Sequence, residues 1–293
     1  MKNVFPLALS LLIAVAGCKP SETAAPSSDT GAAQPASNRP LSIKGSDTMV
    51  ILTQRLAEEY MKLNPGRMVQ VNGGGSGTGI AALINGTVDL AQASRPMKAD
   101  ELASAEKARG AKVVETPVAL DSLAVFLDEA NPVKELTLQQ LADIYTGKVR
   151  SWKDVGGKDA PIILYGRENS SGTYDYFKEH VLNKADFSPK VQTLQGTAAI
   201  VNAVSRDVNG IGYGGIAYDK GVRALALKKD AQSPAIAPSV GTVADGTYPL
   251  SRKLFFYSLA NSPERVTHFV QWTLTPEAQA LVKQVGYFPL NTR

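Results

Sequence analysis

The 293-residue chain is poor in the residues that build metal and nucleophile sites: it has one cysteine, Cys18, and two histidines, His180 and His268. So few ligands give no His/Cys cluster of zinc-like spacing, and both histidines read as surface or packing residues. An excess of one charge is missing too. Lys+Arg 31 against Asp+Glu 27 leaves +4, with no long basic block of the kind a nucleic-acid footprint requires. No Gly-Lys-Ser/Thr step follows a glycine-rich turn, which removes the Walker loop. Neither Ser76 nor Ser171 sits in a Gly-x-Ser-x-Gly elbow with a histidine nearby, which removes the usual serine hydrolase. "GTGIAA", 77–82, fits the loose G-x-G-x-x-A form, but its helix runs only about two turns before Asn85-Gly86, too short for a dinucleotide crossover. The apolar run at the front, about Phe5 to Ala16, falls short of the ~20 residues of a membrane span.

What the front does contain is an address. A cationic start at Lys2, the apolar stretch and small residues before Cys18 read as a secretory signal over 1–17. "VAGC" resembles the bacterial lipoprotein cleavage box, in which the cysteine becomes the lipidated first residue of the mature chain; the alternative is an ordinary signal peptide with Cys18 left as a free thiol. Residues 18–40, rich in Ser, Ala, Pro and Thr and without aromatics, cannot bury enough apolar area to offset their ordering entropy, and are expected to form a disordered tether. The folded body is expected from about Leu41.

From there short apolar runs alternate with helical periods, the pattern of α/β layers. "LSIKGSDT" is a strand ending in Ser46, Asp47 and Thr48, followed by a helix with Met49, Leu52, Leu56, Tyr60 and Leu63 on one face. "MVQVNGGGSGTGIAALING" repeats the plan with Ser76 and Thr78 in the turn, "VDLAQASRPM" delivers Ser94 and Arg95, and "PIILYGRENSSGTYDYF" delivers Arg167, Ser171, Gly172 and Thr173. Taken singly, each hydroxyl or Asp is a helix cap and each glycine a backbone device. Taken together they point to one crevice, because strand C-termini of an open α/β sheet gather where ligands bind. Helix N-termini there present free N–H groups and a positive dipole end, hydroxyls add donors, and the planar guanidinium of Arg167 can bridge two oxygens. The expected ligand is a small oxyanion.

"KGSDTM", "GGGSGTGIAALINGTVDLAQASRPM", "PVALDSLAVFLDEANPVKELTLQQLADIYTGKVRSWKDVGG", "GRENSSGTYDYF", "GIGYGGIAY" and "YPLSRKLFFYSL", in this order, resemble the phosphate-binding proteins that serve bacterial ABC-type phosphate importers. The resemblance spans about Leu41 to the C-terminus. It implies an α/β type II periplasmic-binding-protein fold, two lobes joined by two chain crossings near Pro117-Val118 and Ala244-Gly246, with lobe 1 as 41–118 plus 246–293 and lobe 2 as 119–245. It implies phosphate contacts at Ser46, Asp47, Thr48, Ser76, Arg167, Ser171, Gly172 and Thr173, with Ser94 and Arg95 as further candidates. Some family members carry, on the turn after the third strand, an aspartate that takes the proton of phosphate; aligned on Pro96, this chain has Ser94 followed by Arg95. Asp47 is the nearest substitute, as proton acceptor or as plain helix cap, and Arg95 either touches ligand or pairs with a carboxylate.

The function these residues imply is capture of inorganic phosphate by a monomeric, lipid-anchored protein of the cell envelope that delivers it to membrane permease subunits. Neither catalysis, a metal, a cofactor nor nucleic acid enters this expectation. Tungstate, molybdate and sulfate are rival ligands. A secreted phosphatase or phosphotransferase would need a metal cluster or an activated nucleophile that the residues do not offer, and an anchored adhesion or signalling module with an oxyanion pocket is the remaining alternative.

Overall fold

The protein is described by a computed structural model covering residues 39–290. The signal at 1–17, Cys18 and the tether up to residue 38 lie outside the described residues. Strand β1 (Leu41–Gly45) leads through a 3-10 turn, Asp47–Met49, into α1 (Val50–Leu63). Then come β2 (Val69–Asn72), α2 (Ser76–Ile84), β3 (Leu90–Ala93), α3 (Ala99–Arg109) and the long β4 (Val113–Leu127). The middle of the chain forms β5 (Glu135–Thr137), α4 (Leu138–Tyr145), β6 (Ile163–Arg167), α5 (Gly172–His180), β7 (Gln192–Leu194), α6 (Thr197–Val204), β8 (Gly210–Gly215), β9 (Arg223–Ala224), β10 (Ala226–Lys228) and α7 (Val240–Ala244). The chain returns through β11 (Ser251–Leu259) and ends in α8 (Glu264–Thr273) and α9 (Pro276–Val285).

The main sheet has the order β2-β1-β3-β11-β4-β8-β6-β7. β1 pairs parallel with β2 and β3, while β6 pairs parallel with β7 and β8. Between these sets lie antiparallel steps: β3 to β11, β11 to β4, and β4 to β8. These three reversals make β6 run opposite to β1 and β3. Because β11 pairs with β4 over Val113–Ser122 and β8 over Leu123–Leu127, the two parallel sets lie end to end along β4 and turn their C-terminal ends toward each other, which is why turns 120 residues apart can touch.

The buried apolar side chains follow the same division. One cluster runs from Leu123 to Leu250, with Phe288; two others hold Leu41 to Ala119 together with Leu254 to Tyr287. The change from one core to another falls on β4 between Ala119 and Leu123, and on the approach to and start of β11 between Leu250 and Leu254. The helical face expected from Met49, Leu52, Leu56 and Tyr60 is buried, whereas Leu63 at the helix end is exposed. Both histidines pack: His268 Nδ1 lies 2.7 Å from the Tyr60 hydroxyl, and His180 stacks on Tyr176 at 3.9 Å between ring centroids. Among the described residues no helix is long and apolar enough to cross a membrane.

Candidate functional site

The turns that end β1, β2, β3 and β6 meet. Ser46 Oγ donates to Ser94 Oγ at 2.9 Å, Ser94 N–H donates to Ser76 Oγ at 3.1 Å, and Thr48 Oγ1 lies 2.9 Å from Thr173 Oγ1. Backbone contacts lock the approach: Gly77 N–H donates to Ser170 O at 2.9 Å and Ser170 Oγ to Gly74 O at 3.2 Å. Gly75 has φ +92, and a Cβ there would stand 2.4 Å from Ser170 O, so only glycine serves. Gly172, first residue of α5, is as tightly placed, since a Cβ on it would meet Ser76 Oγ at 2.3 Å and Ser94 Oγ at 2.9 Å.

The helix-cap reading holds for one of these groups. Ser171 Oγ accepts from the N–H groups of Thr173 and Tyr174, capping α5. Ser46 stands at the cap position of the 3-10 turn without a side-chain cap bond, and Ser76 lies one residue inside α2. Their hydroxyls are instead directed at each other's neighbourhood around Ser94. Ser46, Thr48, Ser76, Ser94, Ser171 and Thr173 are all buried, a concentration of hydroxyls that a purely structural core has no need of.

Arg167, 2% exposed, ends β6 against Asp47, the residue between Ser46 and Thr48. Its Nη2 donates to Asp47 Oδ2 at 3.1 Å and Glu168 Oε1 at 2.9 Å, its Nε to Glu168 Oε2 at 3.1 Å, and its Nη1 to Thr197 Oγ1 at 2.9 Å. A guanidinium has five N–H donors, so one Nη1 hydrogen remains for a ligand. Burial pushes the Glu168 carboxyl up, but the Arg167 hydrogen bond and charge outweigh it and hold the group below the usual range. The Asp47 carboxylate is not a cap. Its Oδ1 accepts from Gly74 N–H at 2.9 Å and its Oδ2 from Arg167, so it joins the glycine-rich turn to the arginine.

Arg95 is buried among carboxylates. Its Nη1 and Nη2 donate to Glu101 at 2.8 and 2.7 Å, Nη1 also donates to Pro96 O, and Nε lies 2.8 Å from Asp175 Oδ2, off the line of a hydrogen bond, as an ion pair. The carboxylate-pairing alternative describes these contacts, which engage both Nη1 hydrogens and one on Nη2.

Thr197 and Glu168 escaped the sequence reading. "TLQGTAAI" places Thr197 after a strand and a glycine, at the first residue of α6, which is the same punctuation as the other turns; Glu168 follows Arg167 directly. A further pair, Asp121 and Arg252, had no local signal beyond a lone aspartate in an apolar run. Among the described residues no group of three or more His, Cys, Asp and Glu could hold a metal ion.

A family model of the PBP superfamily domain matches residues 20–277. The phosphate-binding protein PstS of Pseudomonas aeruginosa is 39% identical over 270 residues, covering 86% of this chain and 84% of its own length. The chain belongs to the phosphate-binding protein family of bacterial ABC-type phosphate importers. SphX of Synechococcus elongatus is 36% identical, covering 85% of this chain and 77% of its own length. Among solved structures, a Clostridium perfringens substrate-binding protein with bound phosphate superposes with a TM-score of 0.79 at 30% identity, covering 86% of this chain and 100% of that one. An ABC-type phosphate transport receptor from Vibrio cholerae gives 0.68 at 29%, covering 85% and 99%. The fold is thus the expected two-lobed α/β type II periplasmic-binding-protein architecture.

Proposed function

We propose that the protein captures one inorganic phosphate between its two lobes and hands it to an ABC permease at the membrane. The observation that carries this is the convergence of buried hydroxyls from both parallel strand sets, with Arg167 joined to the turn after β1 through Asp47. The phosphate shell is read as Ser46 to Thr48, Ser76, Arg167 and Ser171 to Thr173, with Ser94 holding Ser46 and Ser76 in place. Such a preformed set of N–H and O–H groups replaces the hydration shell of a tetrahedral oxyanion, and contacts from both sides favour the closed form. The separation of apolar cores supports two lobes whose crossings lie at Leu120–Ser122 and Ser251–Lys253, a few residues beyond those read from the sequence. Cys18 is the proposed lipid attachment, the protein is a monomer of the cell envelope, and closure is what the permease recognises.

The reading is tested by melting the body from Leu41 onward with phosphate, sulfate, molybdate or tungstate in excess. A ligand that binds only the native state raises the melting temperature, and phosphate is expected to raise it most. A shift with tungstate or molybdate and none with phosphate would assign the site to another oxyanion. Phosphomonoester hydrolysis that follows the purified protein would make it an enzyme.

A further inference from the structure

Behind the hydroxyl cluster, where the apolar cores change over, the two crossing strands carry an ion pair. Asp121 on β4 and Arg252 on β11 are direct partners in the strand register. Arg252 Nε donates to Asp121 Oδ2 at 2.8 Å, and Nη2 lies 2.8 Å from the same oxygen. Asp121 is fully buried and Arg252 is 6% exposed. Asp121 Oδ1 accepts from Ile216 N–H at 3.2 Å, which ties the end of β8 to the same pair. Burial pushes the Asp121 carboxyl up against the pull of Arg252.

A buried ion pair is weak evidence for stability, because desolvation offsets most of the attraction. What sets this one apart is its third partner. Arg252 Nη2 donates to Thr173 Oγ1 at 3.1 Å, across to the first turn of α5. A threonine hydroxyl has one hydrogen and two lone pairs, and its rotor ordinarily chooses between donating and accepting. A permanently charged donor on one lone pair excludes the rotor that points the hydrogen at Arg252: the hydrogen is left to the directions that face the site, where Thr48 Oγ1 lies 2.9 Å away and either hydroxyl can donate to the other. The charge also polarises the O–H bond, which strengthens it as a donor.

From this geometry, and resting on the phosphate reading above, we infer that Arg252, held by Asp121, is a positioning residue that turns the Thr173 hydrogen away from itself and toward the site, where Thr48 can take the donor role to Thr173 and leave the Thr173 hydrogen for the bound phosphate. Arg252 does not touch the anion itself. Because both members of the pair sit on the crossing strands, the Thr173 hydroxyl is set by the same segments that join the lobes.

A double-mutant cycle read by phosphate titration and by melting temperature tests this. Arg252→Lys keeps a charge beside Asp121 but loses the planar fork, and is expected to weaken phosphate binding about ten- to a hundred-fold, the range of a charged hydrogen bond. In a Thr173→Val background the same change should cost less than about two-fold, since the hydroxyl it acts through is gone. Asp121→Asn, nearly isosteric, is an independent arm should Arg252→Lys not fold, and its loss should vanish in the same background. Equal losses with and without the Thr173 hydroxyl would overturn the inference, as would unchanged affinity in Arg252→Lys. Binding of no phosphate by the unmodified protein would overturn the functional reading and the inference with it.

Discussion

At the scale of single residues the site combines one guanidinium with two carboxylates, Asp47 and Glu168, both within 3.1 Å of Arg167. Side-chain charge alone would therefore repel an anion, and attraction rests on how Arg167 and the N–H and O–H dipoles are aimed. Replacing Arg167 by alanine leaves both carboxylates unpaired, and is expected to weaken phosphate binding by about 2–5 kcal/mol, with lysine weakening it less because it lacks the fork; competition titration measures both. Asp47 bears on selectivity. Near neutral pH phosphate still carries a proton and sulfate carries none, so a carboxylate beside the ligand accepts from the first and repels the second. Asp47→Asn should narrow the preference for phosphate over sulfate, chiefly by admitting sulfate. An unchanged ratio would reduce Asp47 to the tether between Gly74 and Arg167.

At the scale of elements, the first turn of α5 is pressed against the turns that follow β2 and β3. Gly172→Ala puts a methyl group within 2.3 Å of Ser76 Oγ, a short side chain with little room to move, and should destabilise the fold by about 1–3 kcal/mol, the usual cost of overpacking, and weaken phosphate binding by forcing the turns apart. Wild-type affinity in a titration of this variant would mean the two turns do not approach this closely when phosphate binds. These turns were legible in the sequence because strand, glycine or serine, and helix start follow one another within a few residues. Asp47 was harder to place, since a short 3-10 turn before α1 puts Ser46 rather than Asp47 at the cap position and frees the carboxylate for Gly74. Arg95 reads from its place beside Ser94 as either a ligand contact or a carboxylate's partner, and the sequence does not name the partners, because Glu101 and Asp175 lie one on the next helix and one far along the chain. Arg252 and Asp121 meet across 131 residues, and no local pattern announces such a pair.

At the scale of the whole molecule, two lobes joined by paired crossing strands make ligand capture a mechanical event: donors from both sides must close on one anion. The family places this chain beside importers, and Cys18 is the proposed lipid attachment that would hold it near one. Cys18→Ser should release the protein into the soluble fraction or block its maturation while leaving phosphate binding by the folded body unchanged; membrane association that survives the substitution would assign the anchor to a protein partner. Phosphate is the proposed ligand, and one molecule is expected to fill the site. Calorimetric titration of the body from Leu41 onward with inorganic phosphate measures both at once. One phosphate per chain, with sulfate binding far more weakly under the same conditions, is the predicted result, and no heat of binding, or a stoichiometry other than one, would contradict it.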